Sequence, residues 1–359
     1  MKLLGLNLGG FFSQVDDFTQ NHLDNFITEE DISRIKDWNF NCLRLPVDFH
    51  FFENQKEPYD YIEERLKKIE IVLSWAQKYD MKLILDLHKA PGHTFETRED
   101  NKNTIWRNNS QNRKRFLKIW EFLANRFKDQ DNIIYELLNE PVALKDHFWY
   151  DLAEEAIKII RNIDETHEII IESNLWGKTD CFNNMPLFKD DKIIYSFHYY
   201  QPHWVTHQMA EWISFYVKNI HRKKEFYPGK IELPSEKYNK LGDNFYLKRF
   251  KEELGYHWDI EKMKSTIQPV IDFKEKNNVP ILCGEFGVVA KASPIVRKNW
   301  IEDLMFIFKE NKISYTYWTY KNMDFGLFDF TEKYDNNPNY QNEKRLDEPT
   351  LKALQEGAF

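Results

Sequence analysis

The chain has 359 residues, long for one ordinary domain but usual for an α/β barrel with insertions. Hydrophobic residues make up 42% and aromatic residues 16%, which permits a large core and leaves rings for stacking surfaces. The 50 basic against 58 acidic residues give a net charge of -8, and the basic stretches at 222–224 and 248–251 are short with acids nearby, which argues against a nucleic-acid partner.

The first apolar run, 3–8, follows a single lysine, is broken by Asn7 and has no small-residue cleavage site, so it reads as a first strand rather than a leader. The compartment stays open on this reading: an intracellular chain, or a secreted one already shorn of a signal. No run reaches the roughly 18 apolar residues of a membrane span. Further strands are expected at 42–47, 82–87, 133–138, 168–173, 192–198, 280–285 and 314–319. Helical periodicity fills the gaps. Thr28 with Asp31 has the spacing of a capping box, and 61–79 puts Ile62, Leu66, Ile69, Val72, Leu73 and Ala76 on one face. Ser110 is placed to cap the next helix, and others fit 146–163, 259–277 and 295–310.

Strands alternating with helices imply parallel strands joined by crossovers, and eight is the number that closes a (β/α)8 barrel. A doubly wound open sheet would want GxGxxG after its first strand, whereas Gly5-x-x-x-Gly9-Gly10 has the wrong spacing and no helix at once. Residues 1–359 are therefore read as one (β/α)8 domain. Residues 201–258 break the rhythm and are dense in rings, so they are read as an insertion subdomain after the sixth strand, lining the cleft. Cys42, Cys181 and Cys283 are odd in number and lack CxxC spacing, so they read as small buried hydrophobes.

The strand ends carry the chemistry. Barrel enzymes place their sites at the C-terminal ends of the strands. There stand Arg44, Asp86 with His88, Asn139 with Glu140, His198 with Tyr200, Glu285, and Trp318. Alternation puts His198 and Tyr200 on one face and Tyr199 on the other. Singly, each has an ordinary reading: Arg44 as an ion-pair partner, a histidine in a hydrogen-bonded core, Trp318 as core. The joint pattern decides. Two carboxylates on separate strands are what glycoside hydrolysis needs, one to protonate the leaving oxygen and one to attack or to activate water.

The ordered set resembles glycoside hydrolase family 5, the cellulase family of clan A barrels, nearly end to end. The resemblance rests on Gly5-Leu6-Asn7-Leu8-Gly9-Gly10, Leu43-Arg44-Leu45-Pro46, Asp86-Leu87-His88-Lys89-Ala90-Pro91-Gly92, Asn139-Glu140-Pro141, His198-Tyr199-Tyr200, Gly284-Glu285-Phe286-Gly287 and Trp318. Thr206-His207-Gln208-x-Ala210-x-Trp212 and Tyr227-Pro228-Gly229 look most like bacterial endoglucanases with an insertion after the sixth strand; Met209 departs, where relatives often carry a smaller residue. The resemblance implies a retaining endo-β-glucanase acting on β-1,4 or mixed-linkage glucan. Glu140 is then the general acid/base, its pKa raised by burial and by the second carboxylate, and Glu285 the nucleophile, kept ionised by Arg44 and Tyr200. Asn139 would hold the sugar 2-hydroxyl, His198 would line the acid/base, His88 would bond the same sugar, and Trp318 would offer it a flat face. Asn7, Phe11, His93, Trp106, His203, Trp204 and Trp212 are candidates for outlying subsites. No cofactor or metal, no nucleic acid, no membrane and a monomer are expected.

Three rivals remain on the sequence. A metal-dependent barrel hydrolase would use His203-x-x-x-His207 or His88 and His93, but the first strand carries Asn7 where such barrels want HxH. A non-catalytic sugar-binding barrel would lack a carboxylate. A β-mannanase, xylanase, β-1,3-glucanase or exo-β-glucanase would use the same constellation.

Overall fold

A computed structural model gives the structure and describes residues 2–54, 56–95, 102–210, 212, 226–233, 235–238, 245–328, 340–341 and 346–357. Eight parallel strands close a barrel: β1 (Leu4–Asn7), β2 (Cys42–Asp48), β3 (Lys82–Lys89), β4 (Ile133–Glu136), β5 (Ile169–Glu172), β6 (Ile193–Tyr199), β7 (Ile281–Phe286) and β8 (Ser314–Tyr317), in the order β1-β8-β7-β6-β5-β4-β3-β2. Every strand expected from the sequence is present, and the fold is a (β/α)8 barrel. The crossover helices include α1 (Glu29–Asp37), α2 (Glu63–Lys78), α3 (Gln111–Phe127), α4 (Asp146–Arg161), α5 (Ile260–Asn277) and α6 (Pro294–Glu310); α7 (Glu348–Glu356) follows the barrel.

The local signals act as expected. The Asp31 carboxylate accepts the Thr28 backbone N–H at 2.9 Å and its hydroxyl at 3.3 Å, which starts α1. Ser110 Oγ accepts the Arg113 N–H at 3.0 Å at the start of α3. No helix among the described residues is long and apolar enough to cross a membrane.

Contacts divide the chain into two units, the first Met1–His198, Pro269–Glu285 and Ser314–Thr316, the second Tyr199–Gln268, Phe286–Ile313 and Tyr317–Phe359. In the first, Leu3, Cys42, Ile84, Ile134, Ile170, Ile194 and Leu282 form one buried cluster, drawn from consecutive strands and plugging the N-terminal end of the barrel. Side chains in a strand alternate, so the residue two further on points the same way. Those residues are Gly5, Arg44, Asp86, Glu136, Glu172, Ser196 and Gly284, and none of the five side chains beyond the two glycines is accessible to solvent. The register sets Asp86 beside Glu136 and Glu172 beside Ser196. A polar belt thus lies directly above an apolar plug. The three cysteines are free and buried.

In the second unit, outward-facing Tyr199 bonds Thr266 Oγ1 at 2.7 Å and stacks on Trp300. The described part of 201–258 holds a short antiparallel pair, Gly229–Lys230 with His257–Trp258, and a helix at Phe245–Glu252. The rest of the expected insertion (211, 213–225, 234 and 239–244) lies outside the described residues.

Candidate active site

Arg44 is the hub. The guanidinium has five N–H donors and no acceptor. Its Nε and Nη2 reach the two oxygens of Glu136 at 2.7 and 3.0 Å, and its Nη1 reaches Glu285 Oε1 at 2.8 Å and Asn7 Oδ1 at 2.9 Å. Nη2 also meets Asn139 Oδ1 at 2.9 Å and Asp86 Oδ2 at 3.0 Å. One buried cation therefore faces three carboxylates. Because arginine only donates, its contacts fix the amide oxygens of Asn7 and Asn139 and leave the Asn139 NH2 for another partner. Burial pushes the Asp86 and Glu136 carboxyls up to about 7 against the pull of Arg44.

Glu140 and Glu285 meet around His198. The ring Nδ1 lies 3.2 Å from a Glu140 oxygen and 3.6 Å from a Glu285 oxygen, and one donor atom of each of the three residues falls within 4.8 Å of the others. Burial lowers the His198 pKa to about 3 and that of His88 to about 4, so both rings are neutral near neutral pH. His88 Nδ1 stands 2.8 Å from Asp86 Oδ2.

The Asn139-Glu140-Pro141 backbone is clamped from two sides. The Glu140 N–H donates to Glu172 Oε2 at 2.8 Å, and the Glu140 carbonyl accepts from His93 Nε2 at 3.3 Å. Glu140 itself has φ 44, a left-handed conformation. Beyond β5 the chain makes a left-handed turn, with φ 59 at Leu175, 62 at Trp176 and 65 at Gly177. Such a conformation costs about 1–2 kcal/mol for each residue that is not glycine, so the surrounding bonds must hold it. They do: the Trp176 N–H donates to the Pro141 carbonyl at 3.3 Å, its indole N–H to Phe95 O at 2.6 Å, and Asn174 bonds both the N–H and the C=O of Ala143 at 2.9 and 3.0 Å.

Several expected subsite residues belong to the framework instead. Asn7 is wholly buried and donates to the carbonyls of Gly284 and Thr316 at 3.0 and 3.1 Å. Phe11 is buried and stacks on Phe12, Trp106 is buried against His93 and Trp149, and His93 bonds main chain. In the second unit, His203 is buried with Nδ1 2.6 Å from Glu253 and Nε2 2.7 Å from Arg249, and the Trp204 indole donates to Phe250 O at 2.8 Å. Both His203 nitrogens are thus engaged, which answers the metal reading of His203-x-x-x-His207. Trp212 is 40% exposed, the one outlying candidate with an open face. Tyr200 packs edge-on against His207 and Phe325, and Trp318 is 5% exposed at the end of β8. Glu136 and Glu172 were not among the expected site residues, and Asp86 stood at its strand end without a role; the signal was an acid two positions beyond an isoleucine in an apolar run. Glu136, Glu172 and His198 also bring donor atoms within 4.8 Å, but both Glu136 oxygens already accept from Arg44, whose fixed charge opposes a cation there.

A family model described as cellulase (glycosyl hydrolase family 5) matches residues 7–324. The chain belongs to glycosyl hydrolase family 5. Endoglucanase C of Acetivibrio thermocellus is 36% identical, across 92% of this chain and 94% of that protein. Cellodextrinase A of Ruminococcus flavefaciens is 32% identical, across 86% and 83%. Among solved structures, endoglucanase Cel5A of Thermotoga maritima superposes with a TM-score of 0.73 at 25% identity, covering 98% of this chain and 96% of that one. The family 5 chain is a glycoside hydrolase of the cellulase type.

The belt of this family 5 barrel makes a pH prediction. Burial, with Glu140 and Glu136 nearby, raises the Glu172 pKa well above 4.5. The folded state then keeps a proton that the unfolded state loses above 4.5, so this group's contribution to stability falls by up to about 1.4 kcal/mol per pH unit between the unfolded and the raised folded pKa. Glu172→Gln removes that titration. As pH rises above the ordinary carboxylate range, the difference in unfolding free energy should move in favour of the variant. Parallel urea-unfolding profiles against pH would contradict a neutral Glu172.

Proposed function

We propose that this family 5 enzyme is a retaining endo-β-glucanase, with Glu140 as general acid/base and Glu285 as nucleophile. The observation that carries the reading is the approach of a Glu140 oxygen to a Glu285 oxygen within 4.8 Å. Retaining glycosidases hold their carboxyls about 5–5.5 Å apart, whereas inverting ones need about 6.5–9.5 Å to admit a water. The short approach leaves room for a sugar carbon bonded to Glu285 and none for a water behind it.

The surroundings suit this division of work. Glu285 accepts from the always-charged Arg44 at 2.8 Å, while Glu140 lies 3.2 Å from the ring of His198, which is neutral near neutral pH. Glu140 protonates the leaving oxygen as Glu285 attacks the anomeric carbon. It then takes a proton from the water that releases the sugar from Glu285. Asn139, oriented by Arg44, offers its NH2 to the 2-hydroxyl. His88, Tyr200 and Trp318 keep the sugar-binding and supporting roles that the family resemblance gives them, and Trp212 is the favoured outer platform. The same reading takes residues 1–359 as one (β/α)8 catalytic domain and 201–258 as an insertion subdomain after the sixth strand.

Endo action on β-1,4-glucan is favoured by the 36% identity to endoglucanase C over nearly all of both chains. A second reading, action on shorter glucan chains, is favoured by the 32% identity to cellodextrinase A. Proton NMR of cellopentaose hydrolysis should show the β-anomer first. Carboxymethylcellulose, mixed-linkage glucan, mannan and xylan assayed with product sizing should give mid-sized fragments from the two glucans. Release of the α-anomer would overturn the mechanism, and stepwise trimming from chain ends would shift the assignment to the second reading.

A further inference from the structure

We infer that Glu172 is a positioning residue for Glu140: its carboxyl holds the Glu140 backbone in place and sets the tautomer of His198 that faces the Glu140 side chain. This rests on the acid/base role proposed above for Glu140.

The argument begins with the backbone. Glu140 has φ 44, and its N–H donates to Glu172 Oε2 at 2.8 Å. A non-glycine residue persists there only if its surroundings over-determine it. The φ of Glu140 sets the direction of its Cα–Cβ bond, so the same hydrogen bond aims the acid/base. The site around Glu172 is built for that purpose. Its carboxyl is wholly buried, its backbone carbonyl accepts the Trp149 indole N–H at 2.8 Å, and Gly177 closes over it. A Cβ at Gly177 would lie 2.4 Å from Glu172 Oε1, so only glycine leaves the carboxyl its place.

The second contact is with His198. Its Nε2 lies 3.5 Å from Glu172 Oε2 and has no hydrogen-bond partner among the described residues, and neither has Glu172 Oε1. A buried carboxyl kept neutral has a proton to offer, and the lone pair of a neutral imidazole is its complement. Nε2 is then the acceptor and Nδ1 carries the hydrogen, 3.2 Å from Glu140. Nδ1–H stabilises the Glu140 carboxylate that forms after it has protonated the leaving group.

The test separates a positioning role from a structural one by leaving-group dependence. A dinitrophenolate leaves without protonation, but the oxygen of a glucan chain does not. In Glu172→Ala, kcat/KM on soluble mixed-linkage glucan should fall by about 100-fold, in the range lost with general acid catalysis. On 2,4-dinitrophenyl β-cellobioside it should stay within about 3-fold. There kcat and KM should fall together, as the second step slows, and azide should restore kcat. Glu172→Gln, neutral and able to accept the Glu140 N–H through its amide oxygen as Glu172 Oε2 does, should regain part of the glucan activity. Equal losses on both substrates, or a glutamine variant no better than alanine, would overturn the inference. Nitrogen-15 NMR of histidine-labelled wild type decides independently of how the variants fold: His198 should carry its hydrogen on Nδ1, and an Nε2–H tautomer would overturn it. A wild type that cleaves neither substrate removes the hydrolase reading itself, and the tautomer still reports whether Glu172 faces His198 as argued.

Discussion

Glu285→Gln should lower kcat on every substrate by about 10⁴-fold or more, with the fold intact and oligosaccharide binding nearly unchanged. An amide cannot form the glycosyl ester that water later cleaves, so the covalent step is lost, whatever the leaving group. Losing a group that acts as part of a catalytic unit removes nearly the whole unit's effect. Binding survives because the nucleophile acts mainly after the substrate is bound, and the new amide oxygen can still accept from Arg44 Nη1, as Glu285 does at 2.8 Å. Calorimetric titration with cellotetraose should give a Kd within about 3-fold of wild type. Azide sharpens the assignment. With Glu285→Ala it should attack the sugar directly and give the inverted glycosyl azide. With Glu140→Ala it should attack the glycosyl enzyme and give the retained one. The same azide product from both variants would contradict the two roles.

Arg44→Met should be the most destabilising single change in the polar belt. It leaves Asp86 and Glu136, both wholly buried, without the cation that now contacts each at 3.0 Å or less. Removing one partner of a buried ion pair costs about 3–5 kcal/mol, since the remaining charge stays desolvated. The variant can recover part of this by protonating the two carboxyls, which already stand near 7 with arginine present. Raised carboxyl pKa values keep protons in the folded state that the unfolded chain releases, so stability falls as pH rises above the ordinary carboxylate range. The loss relative to wild type should therefore be larger at pH 8 than at pH 5.5 by urea unfolding. Activity should also fall by about 10²–10³-fold, because Glu285 loses a preorganised donor. A loss under about 1 kcal/mol at pH 8 would show that the belt does not depend on its cation. Arg44→Lys should recover little, since a point charge cannot bridge Glu136, Glu285 and two amide oxygens at once.

Both predictions concern residues visible at strand ends in the sequence, yet the reasons for them differ in origin. Periodicity and apolar runs gave all eight strands within a few residues of their ends, because strand formation and the parallel crossover are decided by local pattern and by chain length between runs. The caps at Thr28 and Ser110 were legible for the same reason: a cap is a contact across three residues. Glu140 and Glu285 stood out because each carboxylate ends an apolar run where a barrel opens.

What the sequence left open required the barrel to close. Glu136 and Glu172 each follow an isoleucine by two positions, so alternation alone puts them inside. Only the register across β3 to β6 sets them beside Asp86 and Ser196. Asn7 and His93 have the residue types of sugar ligands, but Asn7 Nδ2 and His93 Nε2 bond main chain and Asn7 Oδ1 accepts from Arg44, and that depends on neighbours far along the chain. Whether a carboxyl in the belt is charged, paired or neutral depends on how deeply closure buries it and on one guanidinium shared among strands. Local sequence determined which residues reach the C-terminal end of the barrel. The tertiary structure decided which of them touch, and hence which hold protons, because desolvation and charge pairing act through space and not along the chain.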